Sequence, residues 1–328
     1  MMEAFNGKTV AITGATGLIG THLVNKFIAS GNTKVIGIGR NKNKLENVFK
    51  DYLANERLSF IECDVADKFP NIYENVDYIF HAASPIAGDI IREQPVSVIK
   101  PNIMGTFNCL DYLKKQGKGR MIVFSSATVY ANTTTSDFVA SEDKTSIADT
   151  LDATNAPYSE SKRLCEVLAK AYYKEYGVET LIARFSYMYG YTKQMPNTAF
   201  YEFIKRIIAG EDIILNNAGM PRRDNIFIDD AVNGLLTLCI NGKVGESYNV
   251  SSGGNNGNFA AIDEIAQIMT DVAYELRSNK KSAIIYKSKP CERKAGLILN
   301  NDKLRALGWK VNNSLRDGIC QTMKAYLN

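Results

Sequence analysis

The stretch "KTVAITGATGLIGTHLVNKFIAS" (8–30) limits the possible folds more than any other part of the chain. A short apolar run leads directly into a glycine-spaced turn. An amphipathic pattern comes next, with Leu18, Leu23, Phe27 and Ile28 on one side at helical spacing. Gly14, Gly17 and Gly20 stand three apart at the first strand-to-helix turn. Residues without side chains let a backbone approach an anion closely. A helix N-terminus adds unpaired N–H groups and the positive end of a dipole. The turn therefore reads as a cradle for a pyrophosphate, with Gly14, Thr16, Gly17, Leu18, Ile19 and Gly20 as cofactor-binding candidates. The spacing differs from GxGxxG, and a lone glycine triplet would be weak evidence. The order strand, glycines, helix is what raises it above a plain turn.

The alternation continues through the first half. Strand-like runs at 8–13, 34–39, 58–64, 76–83, 120–126 and 179–186 are separated by helical patterns. This predicts an α/β fold: a doubly wound parallel sheet with a smaller C-terminal substrate-binding lobe. The expected division is a dinucleotide-binding domain over 1–186, with 221–250 partly returning to it, and a lobe drawn mainly from 187–328. Loops are expected at 131–157 and at "SSGGNNGN" (251–258).

Bulk properties exclude several classes. The net charge of +4 is small for 328 residues, and opposite charges are interspersed, so nucleic acid is not an expected partner. No apolar run approaches the roughly 18 residues of a membrane span. The first apolar run is short and strand-like, not that of a signal peptide. Six cysteines are scattered without a CxxC pair and there are two histidines, so no metal site is expected. Free thiols fit a cytoplasmic location.

The second strand ends "VIGIGRNKNK". Where a dinucleotide fold selective for NAD carries an acid for the ribose 2′-hydroxyl, this chain has Gly39 followed by Arg40. A guanidinium suits a 2′-phosphate, so the cofactor is expected to be NADP or NAD, with NADP favoured. At the end of the third strand, "CDV" offers Asp64 and Val65 beside the adenine, although an aspartate that caps the next turn reads equally well.

The fifth strand ends "FSSATVY" (124–130), and "PYSESK" (157–162) lies further along. Ligands of such sheets lie off the carboxyl ends of strands, which places Ser125, Ser126 and Thr128 near a substrate. Tyr158 and Lys162 share a helix face at i, i+4. A tyrosine has an ordinary pKa near 10. A nearby ammonium and an oxidised nicotinamide are expected to lower it, so that Tyr158 takes a proton from a hydroxyl as hydride leaves. Lys162 is also expected to hold the nicotinamide ribose. The same spacing recurs at Tyr189/Lys193 and Tyr201/Lys205, but no strand ending in serines precedes either pair. His22 reads as a helix-face residue, His81 as structural or near the cofactor, and Trp309 as a packing anchor.

With "TGATGLIG", "CDV", "HAAS", "NIMGTFN", "SSATVY" and "YSESK" in this order, the chain resembles the extended short-chain dehydrogenase/reductases, in particular the NAD-dependent epimerase/dehydratase family. The resemblance runs over nearly the whole chain and includes UDP-glucuronate decarboxylases. It implies Ser126, Tyr158 and Lys162 as catalytic residues, and Ala82, Ala83 and Asn102 as lining the cofactor. It implies Arg223 and Arg293 as holders of a nucleotide diphosphate, with Ser84, Thr128 and Tyr187 also on the substrate side. It further implies a homodimer through the Tyr-Lys helix and the helix at about 95–116.

The chain departs from the pattern at several places. The acids that dehydratases and decarboxylases carry after the catalytic hydroxyl are replaced by Ala127 and Thr128. Tyr187 stands where an asparagine is usual, and Ala131 where a glycine is. The expected activity is a nucleotide-sugar epimerase working through a transient 4-keto sugar with tightly bound NAD(P). The alternatives are an NADPH-dependent reductase of a keto sugar or small carbonyl compound, which the Gly39-Arg40 pair and Ser84-Pro85 resemble, a dehydratase or decarboxylase, and a non-catalytic dinucleotide sensor.

Overall fold

The computed structural model describes residues 1–29, 31–85, 88–130, 136–144, 149–216, 221–277, 281–288 and 295–327. The strands are β1 (Thr9–Thr13), β2 (Lys34–Gly39), β3 (Leu58–Glu62), β4 (Tyr78–His81), β5 (Arg120–Ser126), β6 (Phe138–Ala140), β7 (Glu179–Phe185), β8 (Tyr187–Tyr189), β9 (Ile213–Leu215), β10 (Arg223–Phe227), β11 (Ser247–Val250), β12 (Phe259–Ala260), β13 (Ile284–Tyr286) and β14 (Leu297–Leu299). The helices are α1 (Leu18–Ala29), α2 (Lys42–Val48), α3 (Gly88–Glu93), α4 (Pro95–Gln116), α5 (Ala156–Tyr176), α6 (Ala199–Ile208), α7 (Ile228–Asn241), α8 (Ile262–Arg277), α9 (Asp302–Arg305) and α10 (Leu315–Leu327).

Seven strands form one parallel sheet in the order β11-β7-β5-β4-β1-β2-β3. The strand order reverses between β1 and β4, the place where a doubly wound sheet opens a crevice for ligands. Both faces are covered, which is why all five residues of β1 are buried. Alternate side chains go to opposite layers. Val10, Ile12, Ile122, Phe124, Leu181, Ala183 and Phe185 join the core layer that contains α1 and α7. Ala11, Met121, Val123 and Ile182 join the layer that contains Cys109, Leu110 and Leu113 of α4 and Cys165 and Ala169 of α5.

The second half adds smaller sheets. β12, β10, β14 and β6 lie side by side, β8 pairs with β10, and β9 pairs with β13. β8 begins one residue after β7, past Ser186, and so runs directly out of the main sheet. β11 belongs to the seven-stranded sheet, and β10 to the smaller one. Trp309 is buried and its indole N–H donates to the Asp230 carbonyl at 3.2 Å. His81 is buried beside Thr13, whose Oγ1 lies 2.8 Å from Nδ1. Burial, then the Lys162 charge, pulls that imidazole down to about 3. Helix α4 must pass close to this ring: a Cβ at Gly105 would lie 2.8 Å from His81 Cε1. No helix among the described residues is long and apolar enough to cross a membrane.

Candidate active site

The glycine loop is built for close approach. Gly14 has φ +64°, and a Cβ there would sit 2.8 Å from the backbone of both Ala82 and Ala83. A Cβ at Gly20 would be 2.4 Å from the Gly14 carbonyl oxygen, so the first turn of α1 folds tightly over the loop. The amides of that turn have no intrahelical acceptors and no acidic side chain beside them. These residues fit a dinucleotide pyrophosphate. A second sign of fit is Asn102, whose Oδ1 is buried without a hydrogen-bond partner among the described residues while its amide donates to Ser161 Oγ at 2.9 Å.

The adjacent strand ends supply the rest. Arg40 is exposed just past β2 and makes no ion pair or hydrogen bond among the described residues. A Cβ at Gly39 would meet only Leu45 at 3.5 Å, ordinary contact, so glycine is not sterically required where an acid is absent. Asp64 Oδ1 accepts the Ala66 amide at 2.9 Å, the local cap that its position also suggested. Val65 is buried against Gly105, within 3.2 Å of where a Cβ would lie.

At the carboxyl end of β5 the chemistry-bearing groups converge. Pro157 sits in the first turn of α5 and favours starting the helix there. Tyr158 and Lys162 then project from successive turns. Lys162 is 4% exposed, and its Nζ donates to the Phe124 carbonyl at 2.9 Å and lies 5.7 Å from the Tyr158 ring centroid. The Ser126 hydroxyl lies beside the Tyr158 phenol and favours the phenolate. Ser126 Oγ also accepts the Thr128 amide at 3.2 Å.

The lowered tyrosine pKa expected from the sequence is not what these residues produce by themselves. Burial raises the Tyr158 phenol above its ordinary value, and the neighbouring Ser126 hydroxyl only partly offsets this. The ammonium is turned toward a backbone carbonyl and is itself pulled down by burial. A phenol losing its solvation outweighs a cation several ångströms from the ring.

Ser84 Oγ, Thr128 Oγ1 and Ser186 Oγ are buried without partners among the described residues, and they lie just past β4, β5 and β7, three neighbouring strands. Hydroxyls left unspent at strand ends are the expected signature of a polar ligand site. Tyr187 and Arg223 come together on β8 and β10, with the guanidinium 5.6 Å from the ring centroid. Arg293 lies outside the described residues. No sequence motif singled out Glu166, which is buried, or Arg184, which is largely but not fully buried, both next to Ser125. The signal was present as a repeat, because Glu166 comes after Lys162 by the same four residues that separate Lys162 from Tyr158.

The profile of the NAD dependent epimerase/dehydratase family matches residues 10–251, a span that holds the glycine loop, Ser126, Tyr158 and Lys162 together. The chain belongs to this family. UDP-glucuronic acid decarboxylase 6 of Arabidopsis thaliana is 27% identical over 320 residues, covering 94% of this chain and 86% of that protein. dTDP-glucose 4,6-dehydratase of Escherichia coli is 24% identical over 335 residues, covering 97% and 92%. Among solved structures, the UDP-glucose 4-epimerase of Thermotoga maritima superimposes with a TM-score of 0.80 at 23% identity, over 97% of this chain and 98% of that one. The UDP-glucuronic acid 4-epimerase of Bacillus cereus in complex with NAD gives 0.77 at 23%, over 98% and 100%. The relatives of this family member are thus nucleotide-sugar epimerases, dehydratases and decarboxylases.

Proposed function

We propose that the protein is a nucleotide-sugar epimerase that keeps its dinucleotide through the catalytic cycle. Tyr158 accepts the proton of a sugar hydroxyl, Ser126 hydrogen-bonds the same oxygen, and Lys162 favours the phenolate. NAD or NADP, when bound, supplies the acceptance and return of hydride. The glycine loop, Asn102, Ala82 and Ala83, with Asp64 and Val65, are its proposed holders. Arg223, Tyr187, Ser84 and Thr128 are proposed to face the nucleotide sugar, with Arg293.

The observation that carries the reading is the identity of the two residues after Ser126. Eliminating water requires an acid and a base beyond the tyrosine. At 127 and 128 this chain offers a methyl group and a neutral hydroxyl. Glu166, the carboxylate on the same helix as Tyr158, is tied in a fork to Arg184. A transient ketone that is simply reduced again from its other face needs none of these groups. Incubation with UDP-glucose, and separately with UDP-galactose, without added cofactor tests this by proton NMR. Convergence on one equilibrium mixture from both sides is expected. Release of water or carbon dioxide, or turnover only with added NADPH, would contradict it.

Arg40 favours a second reading, a reductase that exchanges NADPH. Its exposed, unpaired guanidinium past β2 supports preference for a 2′-phosphate. We assign dinucleotide binding to 1–186 with part of 221–250, and substrate binding mainly to 187–328. A homodimer through α4 and α5 is supported by their exposed apolar side chains Met104, Phe107, Leu164 and Val167. A cytoplasmic location is supported by five free cysteines among the described residues.

A further inference from the structure

Helix α5 is fastened to the end of β5 by three consecutive strand residues, each meeting a different turn. The Phe124 carbonyl accepts from Lys162, Ser125 Oγ donates to Glu166 Oε1 at 2.5 Å, and the Ser126 hydroxyl lies beside the Tyr158 phenol. Tyr158, Lys162 and Glu166 stand at i, i+4 and i+8, along one face of the helix. Two of these contacts involve the residues given chemical roles above. The third belongs to a buried carboxylate with no such role.

Glu166 is held from its other side by β7. Arg184 Nε and Nη2 lie 2.9 and 2.7 Å from its two oxygens, a bidentate fork. Arg184 Nη1 donates to the Tyr130 hydroxyl at 2.7 Å, and that hydroxyl donates to Asn249 Oδ1 at 2.8 Å. A free carboxylate one helical turn from Lys162 would compete for its ammonium, since side chains at that spacing are neighbours. Lys162 makes no ion pair among the described residues.

We propose that Glu166 and Arg184 are a positioning pair for the catalytic helix: the carboxylate anchors α5 against Ser125, and Arg184 cancels its charge so that the Lys162 ammonium remains available to Tyr158. This rests on the reading of Tyr158 and Lys162 as base and helper. The groups around the phenol leave few other charges. On α5 are Lys162 and Cys165, whose thiol burial pushes up and so keeps neutral. β4 contributes His81, kept neutral by burial. β5 contributes the hydroxyls Ser125 and Ser126, and α4 the neutral Asn102. Beyond Arg184 lie Tyr130, whose phenol burial also pushes up, and Glu142, whose carbonyl accepts from Arg184 and whose carboxylate accepts the Asn249 amide.

The test is a titration of the NAD-loaded protein by ultraviolet difference absorbance of phenolate, with the Tyr158→Phe curve subtracted. Arg184→Met, which strips the carboxylate of its partner, is expected to move the Tyr158 midpoint up by about one pH unit. Glu166→Gln, which leaves the guanidinium, is expected to move it down. The double variant Arg184→Met/Glu166→Gln is expected to return it to within a few tenths of the native value. A purely structural pair would change stability but leave the midpoint in place, and that result would overturn the proposal. So would a double variant no nearer to native than Arg184→Met. If Arg184→Met does not fold, the sign of the Glu166→Gln shift decides. A native curve that superimposes on Tyr158→Phe throughout would instead remove the reading of Tyr158 as base, and this proposal with it.

Discussion

Two helices carry a tyrosine four residues before a lysine, and they use it differently. On α6, Tyr201 is buried and its hydroxyl donates to the Gly190 carbonyl at 2.9 Å, while Lys205 is exposed. On α5 the lysine is the more deeply buried member, and the tyrosine meets a serine hydroxyl that can exchange partners. Helical spacing gives both pairs a shared face. What separates them is the neighbouring strand: β5 offers Phe124, Ser125 and Ser126 in succession to α5, whereas α6 packs Phe200, Phe203, Ile204 and Ile207 into an apolar core. A phenol whose hydroxyl donates to a backbone carbonyl contributes stability. One that lies beside a side-chain hydroxyl is free to exchange partners.

The comparison is sharpest when each tyrosine loses its hydroxyl. Tyr158→Phe is expected to lower turnover by at least ~10³-fold with little change in folding. Tyr201→Phe should leave turnover within about twofold and cost about 1 kcal/mol in urea denaturation, the worth of one buried hydrogen bond. Equal losses of activity in the two variants would erase the distinction. A smaller difference is expected for the lysines. Lys162→Met should cost ~10²-fold in kcat with KM less affected, whereas Lys205→Met, at an exposed position, should stay within about 0.5 kcal/mol of native stability and keep full activity.

A further effect, expected in stability and not in turnover, concerns a buried carboxylate with every oxygen used. Asp224 on β10 accepts from the Ser252 amide and hydroxyl and from the Leu299 amide. Burial nevertheless pushes its pKa up from 3.8 to about 6. The folded state therefore holds this proton more tightly than the unfolded chain. Its contribution to stability is fully present below pH 4 and is lost as pH rises through 6, up to about 3 kcal/mol in all. Asp224→Asn should flatten that part of the stability–pH profile while leaving the pH dependence of turnover unchanged. A profile with the same slope in the variant would show that the buried carboxylate does not titrate in this range.

Much of this was legible in the sequence for identifiable reasons. β1, β2, β5 and β7 are long apolar runs that bury both faces, so composition alone marks them. The glycine loop was legible because steric contacts as short as 2.4 Å admit no side chain. β6, β8, β9, β12, β13 and β14 span two or three residues each and exist only through distant partners, so no local pattern announces them. The Glu166–Arg184 fork joins helix to strand across 18 positions, beyond any helical period. Asp64 had two readings on position alone, and its local cap became visible only in the structure. Tyr187 illustrates the opposite case. Its departure from the family pattern was plain, but its stacking with Arg223 depends on the pairing of β8 with β10.

Whether the protein keeps its cofactor through the cycle is tested by denaturing the purified protein and identifying the released dinucleotide by mass spectrometry. A near-stoichiometric, oxidised cofactor is expected, kept because each cycle returns the hydride it takes. The presence or absence of a 2′-phosphate on it would show what Arg40 selects. A protein that releases no dinucleotide would contradict a recycled cofactor and leave the exchange of NADPH by a reductase as the better reading.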